Sequence, residues 1–179
     1  MKELSLHILD IAKNSVEAEA HLIEIDIFEN IKENLLIIKI KDDGCGMSED
    51  FLNDVKNPFK TTRTTRRVGL GIPLLTLAAS QCCGDVDIKS KQGEGTTLTA
   101  TFLYNHIDRA PLGNMAETMK TLIFGSPHID FLYTHKKNDK SFTLDTRQMR
   151  QVLGDVPLDT PEVLSWIEES IKEFFDNIT

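Results

Sequence analysis

Three glycine-bearing segments, each beside a polar or charged side chain, are the parts of this sequence best suited to chemistry. In chain order they are Asp42-x-Gly44-x-Gly46, Gly69-x-Gly71 and Gly93-x-Gly95-Thr96. Glycine lets a backbone approach a ligand closely, and a helix that opens at Gly69–Gly71 would offer free N–H groups to a phosphate. No GxxxxGK[ST] P-loop occurs, and GLGIPL lacks the third glycine of a dinucleotide fingerprint. The three segments together predict a nucleotide pocket of another kind.

The residues around these glycines would complete such a pocket. Helical spacing over residues 5–19 places His7, Asp10, Asn14 and Glu17 in one polar stripe, which predicts a pocket wall. Asp42, at the end of a predicted strand, can accept a hydrogen bond from an exocyclic amine such as that of adenine. Residues 57–68 carry four basic side chains and no acid, so we expect this loop to close over phosphates.

Periodicity predicts the elements that hold these groups. Strands are expected at 22–28, 35–41, 85–90 and 96–104, with a short helix capped by Ser48. A further helix should run from GLGI to about Cys83, with Gly84 at its C-terminal cap. This order predicts an α+β fold, a two-layer sandwich in which a mainly antiparallel mixed sheet carries helices on one face.

The chain changes character after residue 104, which predicts a second unit. We expect a first domain, which holds the predicted nucleotide pocket, over residues 1–104 and a small α/β extension over 105–179. The extension should contain helices at 114–124 and 146–153, and a hairpin of strands 129–135 and 141–145. A last helix should begin at Pro161 behind a Thr160 cap. Because that end is rich in acidic residues, it is the first place to look for a protein partner.

Composition limits the function classes. The chain has 179 residues, with 28 acidic and 20 basic side chains and a net charge of −8, which argues against general nucleic-acid binding. No run approaches the roughly 18 apolar residues of a membrane span, and the start does not resemble a signal peptide. Three cysteines, two of them adjacent, form no disulfide framework, so a cytoplasmic protein with reduced thiols is expected.

Five segments in order carry a family resemblance: LDIAKNSVEAEA, KDDGCGM, NPFKTT, VGLGIPLL and GEGTTLTATF. They resemble the N box, first glycine box, F box, second glycine box and last box of the GHKL superfamily. This superfamily comprises the ATP-binding domains of gyrase, Hsp90, histidine kinases and MutL. The resemblance covers about residues 5–104 and implies a Bergerat fold that binds Mg-ATP beneath a mobile lid of about residues 60–68.

The resemblance also implies roles for single residues. Asn14 would bind Mg²⁺, Asp42 would read adenine with support from Thr96, and Asp10 would stand at the position of the catalytic base. The ATP-binding residues it implies are Asn14, Asp42, Gly44, Gly46, Met47, Phe59, Lys60, Thr61, Thr62, Gly69, Leu70, Gly71 and Thr96.

The branch of the superfamily stays open at this point. Asp10 replaces the Glu of hydrolysing members and the Asn of many histidine kinases, and Glu17 stands where histidine kinases usually carry a base. One hypothesis is a histidine kinase-like enzyme that transfers the γ-phosphate to another protein, or hydrolyses ATP slowly, in signalling. A second is a non-catalytic, ATP-gated switch that holds a regulatory partner, of the anti-sigma-factor type. A third, a MutL-like clamp, predicts ATP-dependent dimerisation.

Overall fold

The structure is a computed structural model that describes residues 2–56 and 70–178. In chain order, the N-terminal elements are α1 (Leu4–Glu17), β1 (Leu22–Asn30), β2 (Leu35–Asp42), α2 (Glu49–Lys56), α3 (Gly71–Gln81), β3 (Asp85–Lys91) and β4 (Gly95–Leu103). The C-terminal elements are α4 (Met115–Gly125), β5 (Asp130–Lys137), β6 (Lys140–Asp145), α5 (Thr146–Leu153) and α6 (Pro161–Ile178). The predicted elements are therefore present, with bounds that differ by a few residues.

One six-stranded sheet runs through the molecule in the order β3-β4-β2-β1-β5-β6. Neighbouring strands are antiparallel except for β1 and β5, which are parallel. The sheet is mixed and mainly antiparallel, so the predicted α+β fold class is confirmed. The C-terminal hairpin β5–β6 extends the same sheet; the division into domains 1–104 and 105–179 stays a prediction.

The two faces of the sheet differ in burial. Ile25 of β1 stands between Ile40 of β2 and Tyr133 of β5, and all three side chains are buried. The same buried cluster contains residues of α1, α3, α4 and α6, which cover this face. The other face carries polar cross-strand neighbours such as Glu24 and Lys41, whose charged groups lie 3.4 Å apart. Strand alternation thus produces the predicted two-layer arrangement.

Two helices end earlier than predicted, at Glu17 and Gln81. In each case a non-glycine residue takes the left-handed position just past the end: Glu19 with φ 59° and Cys83 with φ 55°. The next amide then bonds back to the last turn, as Gly84 N does to Ala79 O at 2.8 Å. The prediction that Gly84 would take the cap position was wrong, because Cys82 is the C-cap and Cys83 takes the left-handed position after it.

A buried polar network joins the C-terminal half to β1. His135 Nε2 lies 2.6 Å from Glu29 Oε1, and the Tyr133 hydroxyl lies 2.9 Å from His135 Nδ1. The rings of Phe174 and Phe175, from α6, pack 5.3 and 5.0 Å from the His135 ring. This network therefore connects β1, β5 and the end of α6.

The start of α6 differs from the prediction in its capping contact. The Thr160 hydroxyl donates to Pro157 O at 2.7 Å, while Thr160 O accepts from Leu164 N at 3.0 Å. Among residues 2–56 and 70–178, no helix combines the length and apolarity needed to cross a membrane.

Candidate nucleotide-binding site

A cavity of about 950 Å³ lies between the C-terminal half of α1, the loop after β2 and the start of β4. This volume falls in the range of small-molecule sites, about 300–1,000 Å³. Five of the residues implied by the resemblance line it: Asn14, Asp42, Gly46, Met47 and Thr96. Its other described lining residues are Ile11, Ser15, Glu17, Ala18, Glu19, Ile40, Cys45, Ser48, Phe51, Ile72, Gln92 and Leu98.

Asp42, the last residue of β2, forms a fixed acceptor in this cavity and is only 8% exposed. Its Oδ2 accepts a hydrogen bond from Ser15 Oγ at 2.6 Å, and its Oδ1 accepts one from Gly44 N at 2.9 Å. An ionised carboxylate has about four lone-pair positions, so each oxygen keeps one for a ligand. The orientation of the carboxylate is thus set before a ligand binds.

The loop after β2 requires glycine where it meets the β3–β4 hairpin. Gly46 has φ 67°, and an added Cβ there would lie 2.1 Å from Lys91 O. Gly95 has φ 106°, and its Cβ would lie 2.0 Å from Asp42 O. These contacts leave no space for a side chain, so the loop and the hairpin form one closely packed wall of the cavity.

Apolar side chains line the same cavity as Asp42. Ile40 of β2, Leu98 of β4 and Ile72 of α3 are almost fully buried, at 2%, 2% and 6% exposure. Ile11 of α1 completes this part of the lining. A flat heterocyclic base would replace water against these side chains while its polar edge meets the carboxylate.

A hydroxyl pair lies beside the carboxylate. Ser90 Oγ of β3 accepts from Met47 N at 2.8 Å and lies 2.8 Å from Thr96 Oγ1. It also donates to Gly95 O at 3.1 Å. Met47 and Thr96, both predicted as ATP-binding residues, are therefore held by the same serine side chain.

Asp10, Leu70 and Gly71, which the resemblance also implied, are not among the residues that line the cavity and lie where α1 meets the start of α3. Asp10 is half-buried, one helical turn before Asn14. An added Cβ on Gly71 would lie 3.3 Å from Asp10 Cβ, so α3 begins directly against this residue. Leu70 precedes the helix and is 68% exposed. Its side chain has no hydrogen-bonding group, so it leaves the first N–H groups of α3 to other partners.

Only part of the polar stripe predicted on α1 lines the cavity. Asn14 and Glu17 line the cavity. His7 is buried, and burial lowers its pKa below the ordinary value. Its Nδ1 has no hydrogen-bond partner among the residues the structure describes. His7 is thus part of the α1 packing rather than of the described cavity wall.

Several predicted site residues fall outside the described part of the chain. These are Phe59, Lys60, Thr61, Thr62 and Gly69, together with the proposed lid over about residues 60–68. Their roles stay as predictions from the resemblance.

Sequence reasoning missed Ser15 and Ser90. Ser15 follows Asn14 directly, but the predicted polar stripe took only one edge of the helix. Ser90 shares one face of β3 with Val86 and Ile88, since the three alternate with charged residues. A hydroxyl at an inward position of a strand was the available signal, and it indicates a side chain with a buried polar partner.

The sequence profile described as "Histidine kinase-, DNA gyrase B-, and HSP90-like ATPase" matches residues 2–106, more than half of the chain. The chain belongs to this family. The resemblance predicted from the five segments is thereby confirmed. The match ends just after β4, so the family's domain includes every described residue that lines the cavity.

Two curated relatives, both named as kinases, match part of the chain. Over 108 residues the chain is 29% identical to the autoinducer 2 sensor kinase/phosphatase LuxQ of Vibrio parahaemolyticus, covering 56% of this chain. Over 96 residues it is 32% identical to sporulation kinase E of Bacillus subtilis, covering 52% of this chain. Each match spans only 13% of the relative's own length.

The structural comparison gives the fold. The N-terminal domain of a DNA repair protein superposes with a TM-score of 0.53 at 15% identity, covering 81% of this chain and 53% of that one. The shared architecture therefore includes elements beyond residue 104.

Proposed function

We propose that this protein binds Mg-ATP and transfers the γ-phosphate to another protein, or hydrolyses it slowly, in a signalling role. The observation that carries the proposal is the pre-oriented Asp42 carboxylate inside a 950 Å³ cavity of a family of ATPases. A carboxylate that offers only acceptors favours the exocyclic amine of adenine. The kinase names of the relatives support phosphotransfer as the chemistry.

Asn14 fits the role of a magnesium ligand that acts together with nucleotide phosphates. Among the described residues no three His, Cys, Asp or Glu side chains are grouped to hold a metal. Mg²⁺ usually takes one or two protein oxygens and completes its shell with phosphates and water. The amide oxygen of Asn14, half-buried in the cavity wall, supplies one such ligand. The metal would neutralise phosphate charge, and its binding should depend on nucleotide.

Asp10 is the candidate for the group that accepts a proton from an attacking hydroxyl. It lies one turn from Asn14 on α1 and beside the start of α3, where the first N–H groups of a helix favour an anion. Its carboxylate is one methylene shorter than glutamate, which supports slow hydrolysis. The same feature favours the second candidate function, an ATP-gated switch that binds a regulatory protein without chemistry.

Incubation with γ-labelled ATP, alone and with extract of the source cells, tests the two candidates. Label transferred to protein supports the kinase, and released phosphate supports the ATPase. Tight ATP binding with neither product supports the switch. Failure to bind ATP, measured by calorimetric titration with and without magnesium, would overturn the proposal as a whole.

A further inference from the structure

Three polar side chains form one row across the strands at the floor of the cavity. Ser90 of β3 is the register partner of Thr96 of β4, and Thr96 is the register partner of Asp42 of β2. Directly opposed side chains on antiparallel strands lie about 4.5–5.5 Å apart at Cβ. Thr96 and Asp42 both line the cavity, so they present their polar atoms to a ligand side by side.

The single proton of Ser90 favours one arrangement of the hydrogen bonds in this row. A serine hydroxyl has one proton and two acceptor positions. Ser90 gives its proton to Gly95 O at 3.1 Å and accepts the Met47 N–H at 2.8 Å. Either hydroxyl could donate across the 2.8 Å contact between Ser90 Oγ and Thr96 Oγ1. If Ser90 donated there, Gly95 O would lose its hydrogen bond from this hydroxyl, so the arrangement that satisfies Gly95 O as well as Met47 N–H has the Thr96 hydroxyl donating to Ser90.

When the Thr96 hydroxyl donates its proton to Ser90, it can only accept a hydrogen bond from a ligand. Asp42 also offers only acceptors. The base in the cavity thus meets two adjacent acceptors and no neighbouring hydroxyl proton. An exocyclic amine satisfies both, whereas the keto oxygen of guanine at the same place would face two acceptors without a proton between them. Unpaired polar groups of this kind are strongly rejected in closed sites.

We propose that Ser90, which need not touch the ligand, is a positioning residue that makes the site selective for an adenine over a guanine nucleotide. It acts by orienting the Thr96 hydroxyl. This inference rests on the proposed nucleotide-binding function. Without the Ser90 hydroxyl, the Thr96 proton becomes free to rotate toward the cavity and to pair with a keto oxygen.

The test is the ratio of ATP to GTP affinity, measured by titration of the full chain. Ser90→Ala should lower the ratio by about tenfold, the effect of one well-placed hydrogen bond. Ser90→Thr keeps a hydroxyl on a β-branched side chain that suits a strand, so it should restore the ratio. In a Thr96→Val background, Ser90→Ala should leave the ratio unchanged. Ser141→Ala, at an exposed serine of β6, is the matched control and should behave as the wild type.

The outcomes separate this inference from the function on which it rests. Ser90→Ala also removes the acceptor of Met47 N–H, and a merely structural effect would weaken ATP and GTP equally. An unchanged ratio, with or without such a uniform loss, overturns the inference while Asp42-dependent ATP binding persists. A wild-type protein that binds neither nucleotide overturns the proposed function and the inference together.

Discussion

The carboxylate of Asp42 is a structural group as well as a candidate binding group. It accepts hydrogen bonds from the Ser15 hydroxyl and the Gly44 amide, and Asp42 itself is buried. Leaving a buried donor without its acceptor costs about 1–3 kcal/mol. A substitution at this position therefore changes the free energy of unfolding and the ligand affinity, and the two effects must be measured separately.

We expect Asp42→Asn to weaken ATP binding by about ten- to a hundredfold, because a hydrogen bond to a charged group contributes about 1.5–3 kcal/mol. Calorimetric titration at a temperature where the variant is folded measures this loss. Asp43→Asn is the matched control, since Asp43 Oδ1 accepts from the backbone amides of His21 and Leu22 instead. It should lower stability and leave ATP affinity unchanged. An Asp42→Asn protein that titrates like the wild type would contradict the assignment of the pocket.

Turnover should depend on the length of the side chain at position 10. The aspartate carboxylate lies about 1 Å short of the position a glutamate would reach, and a misplacement of this size can cost about a hundredfold in rate. Asp10→Glu should raise ATP turnover, and Asp10→Asn should remove what remains, while nucleotide affinity changes little in either. Single-turnover assays with labelled ATP measure the rates. Wild-type turnover in Asp10→Asn would remove Asp10 from proton transfer and leave the kinase or switch hypothesis.

The sequence predicted Asn14 and Asp42 of the cavity wall but not the two serines that complete its polar network. Asp42 was identifiable because glycines follow it in a loop, and Asn14 because it lies in a helical stripe. Ser15 and Ser90 were not, since their roles depend on which strand lies beside which helix. Strand order is a property of the folded sheet that periodicity does not encode.

At the scale of elements, the contact between the glycine loop and the β3–β4 hairpin gives a matched pair of substitutions. Gly46 and Gly93 both have positive φ, at 67° and 82°. An added Cβ at Gly46 would meet Lys91 O, whereas nothing lies within 4 Å of one at Gly93. Gly93→Ala should therefore lower the free energy of unfolding only by the cost of placing alanine in a left-handed conformation, about 1–2 kcal/mol. Gly46→Ala should lose more stability and also ATP affinity.

Thermal unfolding and ATP titration of these two variants provide the measurement. Equal losses of stability at the two positions would show that backbone conformation alone matters and that the close packing of loop and hairpin does not. A Gly46→Ala variant that keeps full ATP affinity would separate this loop from the binding site.

Element type was predictable and element pairing was not. Alternation identified β1, β2, β5 and β6 almost to the residue, because half-buried strands repeat with a period of two. The parallel pairing of β1 with β5 leaves no such local signal. The ends of α1 and α3 were also missed, since Glu19 and Cys83 adopt a conformation that is usual for glycine.

At the scale of the whole molecule, the Glu29–His135–Tyr133 network links the family domain to the C-terminal half. Burial raises the pKa of Glu29. The hydrogen bond and charge of His135, together with smaller effects of Lys137 and Tyr104, lower this pKa by more than burial raises it. The pKa of Glu29 in the folded protein is therefore below its ordinary value of 4.5. A carboxyl of this kind stabilises the fold above pH 4.5, and this contribution is lost as the pH falls through the lowered pKa.

We expect Glu29→Gln to lower the free energy of unfolding at pH 7 by about 1–3 kcal/mol, because it weakens a buried charged hydrogen bond. The difference from the wild type should shrink as the pH falls below 4.5, where Glu29 itself becomes protonated. Urea unfolding of both proteins between pH 7 and pH 3 measures this. Glu33→Gln, in the exposed β1–β2 turn, is the control and should show no such trend. A difference that stays constant with pH would rule out an ionised Glu29 carboxylate bonded to His135.

The parallel pairing of β1 with β5 also has a consequence for biosynthesis. Ile23 and Ile25 of β1 leave the ribosome long before their partners Phe131 and Tyr133, by on the order of ten seconds at about 5–20 residues per second. During that interval β1 is an open edge of the sheet in addition to β3, and the hydrophobic face lacks α4 and α6 as cover. The family segment is thus complete in sequence while β1 still lacks the parallel neighbour that completes the sheet.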